Sequence, residues 1–94
     1  MINYKGLTCH ALFKKYNNGN TKIELIDSHT FMPVAEATAK VEKLEENEVA
    51  IKDHSDHSGV LTSLIEAQLV SKPHKYISSG YTNVPVCRVL KKHS

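Results

Sequence analysis

The strongest constraint on the fold is an alternation of apolar and polar residues early in the chain. The alternation runs over residues 7–14, and Ile23 and Leu25 continue it over residues 21–27. A period of two is typical of a strand with one face buried. Between the two segments, residues 17–20 are Asn-Asn-Gly-Asn, which tolerate the positive φ of a tight turn. These segments therefore predict a β-hairpin.

The rest of the chain predicts further strands. Residues 34–41 alternate after Pro33, which favours a strand, although their alanines make a helix the competing prediction. Further strands are expected at residues 48–52, 74–78 and 81–90. Pro85 lies in the last of them and cannot donate a ladder hydrogen bond. It predicts an edge position or a bulge for that strand.

One helix is predicted after residue 59. Its apolar stripe has helical spacing and consists of Leu61, Leu64, Ile65 and Leu69. Ser55 or Ser58 is expected to cap its N-terminus through a side-chain oxygen. Pro73 disfavours helical geometry in the residue before it, so we expect the helix to end near Val70.

Together these elements predict one α+β domain over residues 1–94. We expect a mostly antiparallel sheet of five to seven strands, in the order ββββ-α-ββ, with the helix packed on one face. No stretch is apolar enough to span a bilayer and no signal segment is evident, so a cytoplasmic protein is expected. Cys9 and Cys87 should then be reduced, buried thiols.

A cluster of histidines and carboxylates lies directly before the predicted helix. Its members are Asp53, His54, Asp56 and His57. Neutral imidazole and carboxylate oxygen are common zinc ligands, so this cluster is a candidate zinc site. A fourth ligand would come from a distant segment or a second chain, with His10, His74, Cys9 and Cys87 as the candidates. The alternative is a polar cap with two exposed histidines.

Neither catalysis nor general nucleic-acid binding is expected. Cys9 and His10 are neighbours in a predicted strand, so their side chains point to opposite faces and cannot act as a pair. No nucleophile elbow or phosphate-binding loop is present. The net charge of +2 is too small for a general nucleic-acid binder. Basic residues beside aromatic ones, as at 14–16 and 72–76, are sparse.

A small domain of this kind is expected to act by presenting a surface to a protein partner. Four acidic residues form a local patch that is the candidate contact: Glu42, Glu45, Glu46 and Glu48. The alternative is that this loop is simply solvated. Edge strands and the exposed helix face are further candidate contacts.

The chain also resembles a family of small uncharacterised proteins from phages and mobile elements of Gram-positive bacteria. The segments that carry the resemblance are residues 6–14, 16–27, 35–38, 51–53, 64–67 and 79–88, with Ser55 and Gly59. Family members carry an aromatic residue in place of His54 and an acid–amide pair in place of Asp56 and His57. Both histidines are therefore departures from the pattern.

The resemblance implies a function in disarming host defences. Small phage proteins of this kind often bind a defence effector, so the chain is expected to be an anti-CRISPR type inhibitor of a Cas9-type nuclease, with zinc as a candidate structural element. The runner-up is a metal-binding or nucleic-acid-associated accessory protein of a mobile element.

Overall fold

The computed structural model describes residues 1–53, 58–80 and 82–91, without the side chain of Ser79. Within these residues the chain forms seven strands and one helix. In chain order they are β1 (Ile2–Tyr4), β2 (Leu7–Lys15), β3 (Thr21–Asp27), β4 (Pro33–Glu36), β5 (Glu48–Ala50), α1 (Val60–Glu66), β6 (Lys75–Ser79) and β7 (Thr82–Arg88). The predicted α+β class is confirmed.

The strands are divided between two antiparallel sheets. One sheet has the order β1-β2-β3-β4 and the other has the order β5-β7-β6. The hairpin of β2 and β3 forms as predicted, with Cys9 opposite Asp27 and Lys15 opposite Thr21. Gly19 adopts a φ of 89° in the connecting turn, which explains the need for glycine there.

Strand β1 was not predicted from the sequence. It pairs with β2 through a two-residue turn in which Lys5 and Gly6 have φ values of 50° and 80°. Positive φ at both turn residues matches the right-handed twist of the flanking strands. Three residues are too few to show a period, so the only sequence signal for this hairpin is its glycine.

The predicted strand 34–41 is shorter than expected because the chain changes partners within it. β4 pairs with β3 and ends at Glu36. Thr38 then forms an isolated antiparallel bridge with Ile51, which follows β5. The Ala37 N–H donates to the carbonyl of Ile23 in β3, at 2.8 Å, while its own carbonyl accepts from the Lys52 N–H at 2.8 Å. Segment 37–39 therefore joins the two sheets.

The helix also ends earlier than predicted. α1 stops at Glu66, and Gln68 has a φ of 61°, in the left-handed region. The N–H of Leu69 bonds the carbonyl of Leu64, and the N–H of Gln68 bonds that of Ile65. This pair of hydrogen bonds forms a Schellman motif, with glutamine at the position where glycine is usual. Leu69 is therefore in the core but outside the helix.

Pro85 corrects a second expectation. It lies in β7, which is the central strand of its sheet rather than an edge. The Pro85 carbonyl accepts a bond from the N–H of Ile51, one residue past the end of β5. The missing proline donor therefore falls where regular pairing with β5 has just ended, and the central position is tolerated.

The hydrophobic core lies between the sheets and α1. Its larger part includes Ile23 and Leu25 of β3 with Val60 and Leu64 of α1, all fully buried. A smaller cluster packs Leu44 against the second sheet. No helix in the described part of the chain is long and apolar enough to cross a membrane.

Candidate functional site

The acidic loop, residues 42–47, is fixed in place by two asparagines of the β2–β3 turn. The Asn18 side-chain amide donates to the carbonyl of Val41 at 2.9 Å. Asn20 donates to the carbonyl of Glu42 at 2.9 Å and accepts from the N–H of Leu44 at 2.9 Å. Leu44 itself is buried. The loop therefore has a defined backbone conformation although it contains no regular structure.

Three of the predicted contact residues project from this loop. Glu42, Glu45 and Glu46 are all exposed. In the described ranges, no salt bridge involves any of the three carboxylates. Their negative charges are consequently presented to solvent from an ordered backbone. The sequence predicted the charges, but it gave no sign that Asn18 and Asn20 would order the loop.

Glu48, the fourth predicted contact residue, occupies a different environment. Its side chain is only 4% exposed, and Oε2 lies 2.5 Å from Nε2 of His74 and 3.3 Å from Nζ of Lys75. Oε1 accepts the backbone N–H of Glu45 at 3.1 Å. The structure therefore places Glu48 beneath the loop, as an internal anchor joining β5 to the start of β6.

These contacts favour the ionised form of Glu48. The hydrogen bond from His74, assisted by the Glu45 N–H and by Lys75, lowers the pKa of Glu48 from 4.5 to about 2 despite the opposing effect of burial. His74 is 26 residues away in sequence, so no local pattern could have indicated this pair. It also means that His74, a candidate zinc ligand, already has a carboxylate partner.

The predicted metal cluster falls largely outside the described residues. His54, Asp56 and His57 all lie there, as does Ser55, one of the two predicted caps. Asp53 is described, and its carboxylate caps the start of the helix. Its Oδ1 accepts from the N–H of Gly59 at 2.9 Å and from the N–H of Leu61 at 3.2 Å.

Asp53 therefore has the capping role that the sequence offered for its cluster as the alternative to metal binding. It satisfies N–H groups at the start of α1, which have no partner within the helix. Ser58, the other predicted cap, lies in the exposed turn before Gly59, which is itself the N-cap residue. The contact also brings the two ends of segment 53–59 within one hydrogen bond of each other.

The other candidate ligands do not gather around a common point. Where the structure describes the chain, no group of three His, Cys, Asp or Glu side chains is close enough to hold a metal ion. Cys9 and Cys87 are free and buried. Burial raises the pKa of Cys9, and raises the pKa of Cys87 to about 11. Both thiols are therefore held in the protonated form, which is the unreactive one.

Two of the basic and aromatic residues just before the β2–β3 turn, Lys14 and Tyr16, have partners within the protein. The Tyr16 hydroxyl donates to Oε2 of Glu36 at 2.9 Å, and burial together with this carboxylate raises the pKa of Tyr16 to about 12. Lys14 forms a salt bridge of 2.7 Å with Glu24. Tyr16 acts as a link between strands, and this arrangement offers no evident platform for stacking a base.

Comparison with known proteins adds no relative to this picture. A scan against models of protein families, a search of curated proteins and a search of solved structures each found no match to the chain. The resemblance drawn from the sequence therefore remains a prediction, and the site has to be judged from its own geometry.

We expect the Glu48 contacts to make stability depend on pH. Because the pKa of Glu48 is lowered in the folded state, its contribution is complete above pH 4.5 and is lost as the pH falls towards 2. Glu48→Gln should cost about 2 kcal/mol of unfolding free energy at pH 7. The difference from the wild type should shrink at pH 3, as measured by urea denaturation. Glu46→Gln, at an exposed position, is the matched control. A Glu48→Gln penalty that is equal at both pH values would contradict this assignment.

The cap formed by Asp53 gives a second expectation. Asp53→Ala should lower the unfolding free energy by about 1 kcal/mol, because two N–H groups lose their acceptor. Asp53→Asn keeps an acceptor oxygen and should lose less. Chemical denaturation with and without a zinc chelator separates this role from metal binding. A loss for Asp53→Ala that disappears in chelator would show that the residue acts through a metal instead.

Proposed function

We propose that this chain is a non-enzymatic binding protein that contacts a basic surface of a host protein through the acidic loop 42–47. The observation that carries the proposal is the anchoring of that loop by Asn18 and Asn20. An ordered loop loses little conformational entropy on binding, so its charges can contribute more to affinity.

The chemistry of the described side chains supports a binding role over catalysis. The two thiols are buried with raised pKa values, which disfavours the nucleophilic thiolate. Glu48 is held ionised against His74 inside the protein. Glu45 and Glu46, in contrast, are exposed beside it and available to a partner.

The leading candidate for the partner is a Cas9-type ribonucleoprotein in the host cytoplasm. The identity of this partner follows from the sequence resemblance to phage and mobile-element proteins. The surface charge of such a partner would be opposite to that of the acidic loop, because an effector that binds guide RNA and DNA presents large basic surfaces. Complementary charges of this kind favour encounter and orientation.

The test is inhibition of DNA cleavage by a Cas9–guide complex from a Gram-positive bacterium. The wild-type chain should inhibit cleavage, and Glu45→Lys with Glu46→Lys should weaken inhibition at least about tenfold, because like charges would then face each other. Glu66→Lys reverses an exposed acid on α1 and should leave inhibition unchanged. Both variants should keep the wild-type melting temperature, since all three positions are exposed.

The possible failures of this test are distinct. If the wild type does not inhibit, the effector proposal is wrong. If the double reversal inhibits as well as the wild type, the loop is not the contact. Binding to DNA or RNA alone, with an affinity that falls steeply with salt, would instead support the nucleic-acid-associated alternative.

Zinc binding by Asp53, His54, Asp56 and His57 is the second candidate function. The observation in its favour is the bond between Asp53 and Gly59, which draws together the two ends of the segment that contains both histidines. Closing a short loop in this way reduces the entropy lost when its side chains converge on an ion.

Calorimetric titration with zinc tests this candidate. The wild-type chain should release a saturable heat and gain thermal stability, because a metal that binds only the folded state stabilises it. His54→Ala with His57→Ala should abolish both effects, while His29→Ala, at an exposed site elsewhere, should not. Equal heats for all three proteins, or no heat from the wild type, would exclude the site.

A further inference from the structure

One of the two asparagines that anchor the acidic loop is also the residue of this sequence most susceptible to deamidation. Asn18 is the only asparagine in the chain that is followed by glycine. Because glycine has no side chain, its backbone nitrogen is unhindered and can attack the asparagine side chain before it. Asn18 is exposed, so water also reaches the site.

Deamidation converts the amide into an acid with water as the only co-reactant. The Gly19 nitrogen loses its proton to a solvent base and forms a bond to Cγ of Asn18, while the Cγ–Nδ2 bond breaks. Nδ2 takes a proton from water and leaves as ammonia. Water then opens the resulting cyclic imide at either of its carbonyls, which gives aspartate or isoaspartate. Nothing is oxidised or reduced.

The fold depends on both residues of this reactive pair. Gly19 has a φ of 89°, and a Cβ at this position would lie 2.7 Å from Nζ of Lys43, so a larger residue would be strained. Nδ2 of Asn18, the atom that the reaction removes, donates to the carbonyl of Val41 at 2.9 Å. Replacing either residue to avoid the reaction would therefore disturb the turn or the loop anchor.

Hydrogen bonds in the β2–β3 turn oppose the reaction. The Gly19 N–H donates to the Tyr16 carbonyl at 2.9 Å, and Oδ1 of Asn18 accepts the Asn20 N–H at 3.0 Å. Deprotonation requires the Gly19 N–H to leave Tyr16, and the departure of ammonia requires Nδ2 to leave Val41. The reaction therefore proceeds from a locally opened turn, and the free energy of that opening limits its rate.

We propose that Asn18 is a deamidation site that the native turn protects, and that its conversion to aspartate or isoaspartate loosens the acidic loop. The product has an oxygen in place of Nδ2, so it presents a negative charge to the Val41 carbonyl instead of a donor. Of the two anchoring asparagines, Asn20 alone then holds the loop. This loosening does not depend on whether the loop contacts a partner.

The first test compares Asn18 in the native chain with Asn18 in the peptide KYNNGNTK, which is residues 15–22. Both are incubated in mildly alkaline buffer, and mass spectrometry with fragmentation follows the mass gain at Asn18. The native chain should react at least about tenfold more slowly, because two hydrogen bonds have to open first.

Asn20→Ala tests whether the anchoring of the loop sets this protection. The variant loses the second anchor, and the peptide KYNNGATK corrects for the altered sequence. Protection of Asn18 should fall about fivefold, the effect of one lost hydrogen bond of about 1 kcal/mol. Val60→Ala, at a buried position of α1, is the control for general destabilisation and should reduce the protection less.

Asn18→Asp has the side chain of one product and tests the effect on the loop. The Leu44 N–H, which bonds Oδ1 of Asn20, should exchange with solvent deuterium about fivefold faster than in the wild type, by the same loss of one hydrogen bond. Asn17→Asp adds the same charge at the neighbouring exposed residue and should leave this exchange unchanged.

Three results would overturn the proposal. Equal rates in the native chain and the peptide would show that the turn gives no protection. An Asn18 that stays intact in both the wild type and Asn20→Ala would show that the folded chain has no such site. Exchange at Leu44 that is the same in Asn18→Asp and Asn17→Asp would show that the product keeps the loop anchored. If Asn20→Ala does not fold, the other two comparisons still decide.

Discussion

The buried side chain of Thr38 holds the junction on which both sheets depend. Its Oγ1 accepts the backbone N–H of Ile23 at 3.2 Å and lies 3.0 Å from the Tyr16 hydroxyl. Backbone bonds flank this contact: the Ala39 N–H donates to the carbonyl of Ala50 in β5, and the Ala37 carbonyl accepts from the N–H of Lys52, just past that strand. A threonine is needed here because an apolar isostere would leave the Ile23 N–H without this acceptor inside the core.

Much of the fold could be predicted because it follows from local patterns. The alternation in β2 and β3, with glycine and asparagine between them, specifies the hairpin and its register. The end of α1 could not be placed in this way, because Gln68 takes a conformation that glycine normally adopts and tertiary packing of Leu69 and Val70 imposes it. The central position of the strand that contains Pro85 could not be predicted either, since it depends on where the distant strand β5 ends.

The candidate site was predictable in charge but not in arrangement. A run of glutamates indicates an acidic surface wherever it occurs. The separation of Glu48 from Glu45 and Glu46 depends on His74, which only the folded chain brings near. The anchoring role of Asn20 is similar, because an asparagine in a turn is explained by local conformation and gives no hint of a second contact 24 residues on. Long-range hydrogen bonds of this kind produce no periodic pattern in the sequence.

The location of the two cysteines has a consequence for studying how the molecule opens. Cys9 is in β2 and Cys87 is in β7, so each sheet carries one thiol, and both are buried. A thiol reagent can modify either residue only after its own sheet separates from the core. The two labelling rates therefore report on the opening of each sheet individually. Equal rates would mean that the sheets open in one cooperative event, and unequal rates would identify the sheet that yields first.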